Sequence, residues 1–232
     1  MAQAFDRAGW HVIIHYRGSM IDAEALAATL ASAETVECDL VDGDAAVAMV
    51  ESLASRLDDW RVLINCAAVF RPDDGASPDP EVFAEAAQVN AATPARMSDA
   101  FLRLARANGG RRVIDLLDQK LLNPNPDFFS YTMAKHALAA AIRMQAMAAA
   151  DPADRVYGLA PGAILPSHDQ TSVEQLLSGR MNLLERLTAP EELADAALFL
   201  SDGWLASGAT LFLDSGQHLL AQDRDVLFLA RQ

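Results

Sequence analysis

Tyr131-Thr132-Met133-Ala134-Lys135-His136-Ala137-Leu138-Ala139-Ala140-Ala141 reads as a helix, because alanine, leucine and lysine are strong helix formers and nothing in the run breaks it. The four-residue spacing puts the Tyr131 phenol and the Lys135 ammonium on one helix face. A phenol with a pKa near ~10 is a poor acid at neutral pH, but a fixed cation beside it favours the phenolate and brings it toward a useful range. Such a group suits protonation of a carbonyl-like centre. Taken alone, the pattern also describes a packed ring beside a solvated lysine.

Working outward from this helix, short β-branched runs alternate with longer Ala/Leu-rich runs. The strands fall at 11–16, 35–38, 62–65, 113–117, 155–159 and 210–213. The helices fall near 21–30, 44–57, 80–108 with a break at Pro94, 129–149, 173–177 and 190–200. This alternation predicts an α/β fold, a doubly wound parallel sheet covered by helices on both faces. A chain of 232 residues fits one such domain, residues 1–232, with a substantial core. Two Pro-rich polar segments, 71–80 and 165–172, follow strands and are expected at the carboxyl edge of the sheet, as substrate loops or as plain surface connections. His168 and Asp169 lie in the second.

Lys and Arg number 18 against 32 Asp and Glu, a formal charge of -14. That balance argues against a nucleic-acid partner or an anionic membrane surface. No run reaches the roughly 18 apolar residues of a membrane span. Cys38 and Cys66 end apolar strand-like runs, where buried thiols are expected, and a reduced cytoplasmic protein fits best. His11 and His15 alternate onto one strand face, and no spacing implies a metal site.

Further polar and turn-forming groups collect at the strand ends. Asn65-Cys66-Ala67-Ala68 follows one strand, Asp118 ends another, Pro161-Gly162 follows a third, and Asn90 sits in a helix. With Tyr131 and Lys135, this order resembles the short-chain dehydrogenase/reductases. The likeness runs from about residue 6 to 219 and includes Asp39-Leu40, Pro190-Glu191-Glu192-Leu193-Ala194 and Asp214-Ser215-Gly216-Gln217-His218. It implies a Rossmann-like fold and an oxidoreductase in which Tyr131 is the general acid. Lys135 would lower the pKa of Tyr131 and hold the nicotinamide ribose, and Asn90 would anchor a proton-relaying water. Asn65, Ala67 and Ala68 would support the cofactor's ribose, Asp39 with Leu40 its adenine, and Pro161, Gly162 and Ile164 its carboxamide. Without the resemblance, Asn65 and Asn90 read as caps or strand-end hydrogen bonds.

Three departures shape the expectation. Asp118 stands where the family usually has serine, and an ionised carboxylate only accepts hydrogen bonds. Beside a ring rich in N–H donors it could bind an aminopyrimidine edge, which resembles the pteridine reductases and dihydromonapterin reductases. A turn-initiating Asp is the plainer alternative. Second, Arg17 and Ser19 follow the first strand in place of an acidic residue, which favours NADPH over NADH. Third, the strand and glycine-rich turn that would hold the pyrophosphate are missing ahead of Met1-Ala2-Gln3-Ala4-Phe5-Asp6-Arg7-Ala8-Gly9-Trp10, which reads as the rest of a helix closed by a glycine. The absent strand belongs between those at 11–16 and 62–65, so the fold is expected to be truncated at its N-terminus.

These readings give an NADPH-dependent reductase of a pterin-like C=N or related C=O substrate, with Asp118, Phe128 and Tyr131 at the substrate. Phe128 and Phe129 could stack on a flat ring or simply pack. The alternatives are a carbonyl reductase for an oxoacyl or sugar ketone, or a non-catalytic binding protein. The resemblance also implies a homo-oligomer, a tetramer or dimer, built on the long helices, with the apolar tail 224–229 covered by a partner.

Overall fold

The computed structural model describes residues 1–167 and 169–232; His168, offered above for a substrate loop, lies outside the described residues. Among the described residues six strands alternate with helices. They are α1 (Ala2–Arg7), β1 (Val12–Tyr16), α2 (Met20–Ala27), β2 (Ala33–Glu37), α3 (Gly43–Arg56), β3 (Val62–Asn65), α4 (Pro80–Ala87), α5 (Thr93–Leu104), β4 (Arg112–Leu116), α6 (Phe129–Ala148), β5 (Arg155–Pro161), α7 (Ser172–Ser178), α8 (Pro190–Ser201), β6 (Thr210–Leu213) and α9 (Val226–Leu229). All pairings between these strands are parallel and form two sections, β1–β2 and β3–β4–β5–β6. β1 and β3, between which a further strand was expected, are not hydrogen-bonded to each other.

Period-two alternation divides the core between two faces. Val113, Val156 and Ala160 pack with Phe101, Leu138 and Ile142 from α5 and α6. Ile114, Leu116, Tyr157 and Leu159 point the other way, against Phe5, Leu193 and Leu200 from α1 and α8. Every residue of β4 is buried, as suits one of the two inner strands of its section. Each large apolar side chain buried this completely contributes on the order of 2 kcal/mol. Helix starts are set by short acceptors: the Asp42 and Asp79 carboxylates take the free N–H groups of α3 and α4.

Four local expectations are corrected. The helix predicted over 80–108 is interrupted by a π turn over Gln88–Ala92, while Pro94 sits in the first turn of α5, where its missing N–H costs nothing. Cys38 is buried, but Cys66 is exposed, because it lies on the loop leaving β3. The tail forms α9, which the sequence reading missed. Its Val226 and Leu227 are buried within the same chain, so they are not surface for a partner to cover.

Candidate active site

The carboxyl ends of β3, β4 and β5 and the first turn of α6 converge on one site. The α6 helix carries Tyr131 and Lys135 there in the predicted relation, with the Lys135 Nζ 5.5 Å from the Tyr131 ring centre. Lys135 is buried and donates to the Leu116 carbonyl at 2.6 Å, at the end of β4. Asp118, two residues further on, accepts a hydrogen bond from the Tyr131 hydroxyl at 3.2 Å and another from the Lys120 backbone N–H at 2.8 Å. The second bond is the turn-initiating role foreseen as the plain alternative. The two oxygens are used separately, Oδ1 by the turn and Oδ2 by the Tyr131 hydroxyl.

This geometry corrects the expected electrostatics of Tyr131. Burial and the neighbouring Asp118 carboxylate push the phenol well above its ordinary pKa, so it is held as a neutral O–H donor rather than a phenolate. Burial also raises Asp118, opposed by Lys120 and Lys135. Lys135 is pushed down by burial, while Asp118, Cys66 and Asp115 favour its charged form. Tyr131 and Asp118 are thus two adjacent groups that both hold protons more tightly than usual, which suits an acid.

Behind them lies a layer of buried amides. The Asn90 amide, carried on the π turn, bonds both the N–H and the C=O of Val69 at 2.8 Å, fastening the loop that follows β3. The Asn65 Nδ2 donates to Asp115 Oδ1 at 2.7 Å and Ser98 Oγ at 3.0 Å. Asp115 is completely buried, its other oxygen has no hydrogen-bond partner among the described residues, and burial lifts its pKa to about 6. Nothing in the sequence singled out Asp115; its alternation with the apolar residues of β4 was the available signal.

Residues 1–218 match the family model described as enoyl-(acyl carrier protein) reductase, a model of the short-chain dehydrogenase/reductases. The chain belongs to the short-chain dehydrogenase/reductase family. This short-chain reductase is 28% identical to pteridine reductase 1 of Leishmania tarentolae, over 94% of this chain and 91% of that one. It is 24% identical to dihydromonapterin reductase of Escherichia coli, over 90% of both. The crystal structure of FolM alternative dihydrofolate reductase 1 from Brucella canis, complexed with NADP, superposes with a TM-score of 0.87 at 28% identity, covering 97% of this chain and 90% of that one. The expected fold and family are therefore shown.

The structure distributes the other predicted residues of the short-chain reductase unevenly. Arg17 and Ser19 are exposed just after β1, and Ala67 and Ala68 are exposed after β3. Asp39 is exposed and its carboxylate caps its own turn at the Val41 N–H, while Leu40 is buried and its carbonyl accepts from Thr93. Pro161, Gly162 and Ile164 line the end of β5; a Cβ on Gly162 would stand 2.6 Å from Gln217 Oε1, so only glycine lets these segments meet. Phe128 is displaced from its expected substrate role. Its ring is buried, stacked between Phe70 at 4.1 Å and Phe228 at 5.8 Å, and its backbone is left-handed with φ of 52°. Phe70, overlooked in the sequence, touches Tyr131 edge to face at 4.7 Å and is partly exposed.

Proposed function

We propose that this protein is a cytoplasmic NADPH-dependent reductase of pterin-like substrates, acting on a ring C=N or a related C=O bond. The observation that carries the reading is the Tyr131 O–H donating to a half-buried Asp118 carboxylate where the family usually has serine. Similarity to pteridine and dihydromonapterin reductases supports it independently.

The residues present fit both ends of the dinucleotide. Arg17 makes no ion pair among the described residues and stands beside Ser19 at the start of α2. It suits a 2′-phosphate. At the other end, Lys135 sits under the end of β4 with Tyr131 above it, where it can reach ribose hydroxyls. No glycine-rich turn for the pyrophosphate lies within residues 1–10.

NADPH, when bound, supplies the hydride. Tyr131 gives the balancing proton, its O–H bond breaking as a new N–H or O–H bond forms on the substrate. Asp118 can return a proton to the phenolate oxygen, and its ionised form accepts hydrogen bonds from an aminopyrimidine edge. Site burial keeps both groups protonated to a higher pH than in water.

The test is fluorescence titration of the full chain with NADPH and NADH, followed by dihydropterin reduction by wild type and Asp118→Ser. The expected result is saturable binding with NADPH preferred, and dihydropterin reduction that D118S loses. A D118S protein that still reduces dihydropterin would leave Asp118 with only its turn-initiating role and remove the observation that favours a pterin over a general carbonyl substrate. A folded protein that binds neither nucleotide would overturn the reading. As an assembly we propose a homotetramer or dimer, supported by Met133, Met144 and Met147 exposed along α6 and Phe83 along the adjoining α4.

A further inference from the structure

The C-terminal segment closes onto the turn that carries Asp118. Lys120 and Asp225 form an ion pair of 2.6 Å with side chains only 4% and 13% exposed. The Lys120 ammonium also donates to the Asp127 carbonyl at 3.0 Å and lies 5.3 Å from the Phe128 ring centre. Arg224 binds the Asp127 carboxylate through its Nε at 2.8 and 3.0 Å, and the Asp225 N–H donates to the same carboxylate at 2.7 Å. Phe228 stacks on Phe128, and Arg231 ties the end of the chain to Glu174 of α7 at 3.0 Å.

Burying an ion pair this deeply is expensive, and a well-packed apolar pair would hold the tail equally well. The placement explains it. Lys120 is two residues from Asp118 and shares its turn, so the pair lies within electrostatic reach of both proton-carrying groups. We propose that the Lys120–Asp225 pair is a positioning device that sets the charge felt by Asp118 and Tyr131, so that the tail tunes the proton donor. This rests on the reading of Asp118 and Tyr131 as that donor.

The groups facing Asp118 and Tyr131 are few. Lys120 comes from the turn of Asp118, Lys135 from α6, Asp225 from the tail and Cys66 from the loop after β3, while Asp127 and Arg224 neutralise each other one layer behind. Lys120 draws Asp118 toward ionisation and Asp225 opposes it, with Lys120 the stronger. Removing either partner therefore leaves an uncompensated charge of opposite sign.

The experiment follows the Asp118 carboxyl carbon by NMR through a pH titration of the full chain, assigned with Asp118→Asn, in wild type, Asp225→Asn and Lys120→Met. Asp225→Asn should lower the Asp118 midpoint and Lys120→Met should raise it, each by roughly half a pH unit to one unit. A purely structural strut would shift both the same way or neither. Asp225→Asn is nearly isosteric, so a folded D225N protein whose Asp118 midpoint is unmoved overturns the proposal even if K120M fails to fold. The titration needs no substrate. Opposite shifts in a protein that reduces no dihydropterin would sustain the charge pair and refute only the assigned reaction.

Discussion

The Asp115 carboxyl shows how one buried side chain sets a pH response. Its pKa rises from 3.8 to about 6 on folding, so the unfolded chain releases this proton more readily. Its contribution is complete below the unfolded value and is lost as pH rises through about 6, an effect on the order of 3 kcal/mol. Asp115→Asn keeps an acceptor for Asn65 and removes that loss. Thermal melts should show the variant gaining stability over wild type at pH 7 to 8 and not at pH 4. For Tyr131, replacement by Phe should lower kcat for dihydropterin by roughly 10²- to 10⁴-fold, the usual worth of a positioned acid. Arg17→Ala should weaken NADPH binding by roughly tenfold, the loss of one charge-assisted contact, and leave NADH unchanged. Titrations with both nucleotides would check this. Tyr131 and Lys135 were legible in sequence because a helix turn brings them together. The carboxylate that adds to burial in raising the pKa of Tyr131 was named, but not its contact, since the distance between Asp118 and Tyr131 depends on a loop.

At the scale of elements, the π turn over Gln88–Ala92 places Asn90 where its amide can hold Val69 at both backbone groups. Asn90→Ala would leave that N–H and C=O without their partners, at a cost of about 1–3 kcal/mol. A lowered melting temperature is expected, together with faster amide exchange across residues 65–70. The helices and strands themselves were largely readable, since periodicities of 3.6 and 2 follow from which face is buried. The π turn was not, because Pro94 drew attention to itself while the extra residue in the turn leaves no compositional trace. Helix α9 was missed for a related reason: four residues give too short a period to recognise.

For the whole molecule, the exposed methionines of α6 and Phe83 of α4 predict self-association. Sedimentation equilibrium should give a mass of two or four times 24.9 kDa, and Met144→Glu with Met147→Glu should reduce it. A monomer at micromolar concentration would contradict the expected assembly. By itself, the sequence determined the alternating α/β architecture, the all-parallel strands and the residues that gather at their carboxyl ends, because local periodicity and strand order are properties of neighbouring residues. It also carried the family likeness through Asn65, Asn90, Tyr131 and Lys135. Only the tertiary structure decided that Phe128 is walled in by Phe70 and Phe228, that Asp115 is paired with Asn65, and that Asp225 reaches Lys120 across more than a hundred residues of chain. Those contacts join segments distant in sequence, and their energies arise from burial and charge proximity that exist only once the chain has closed on itself.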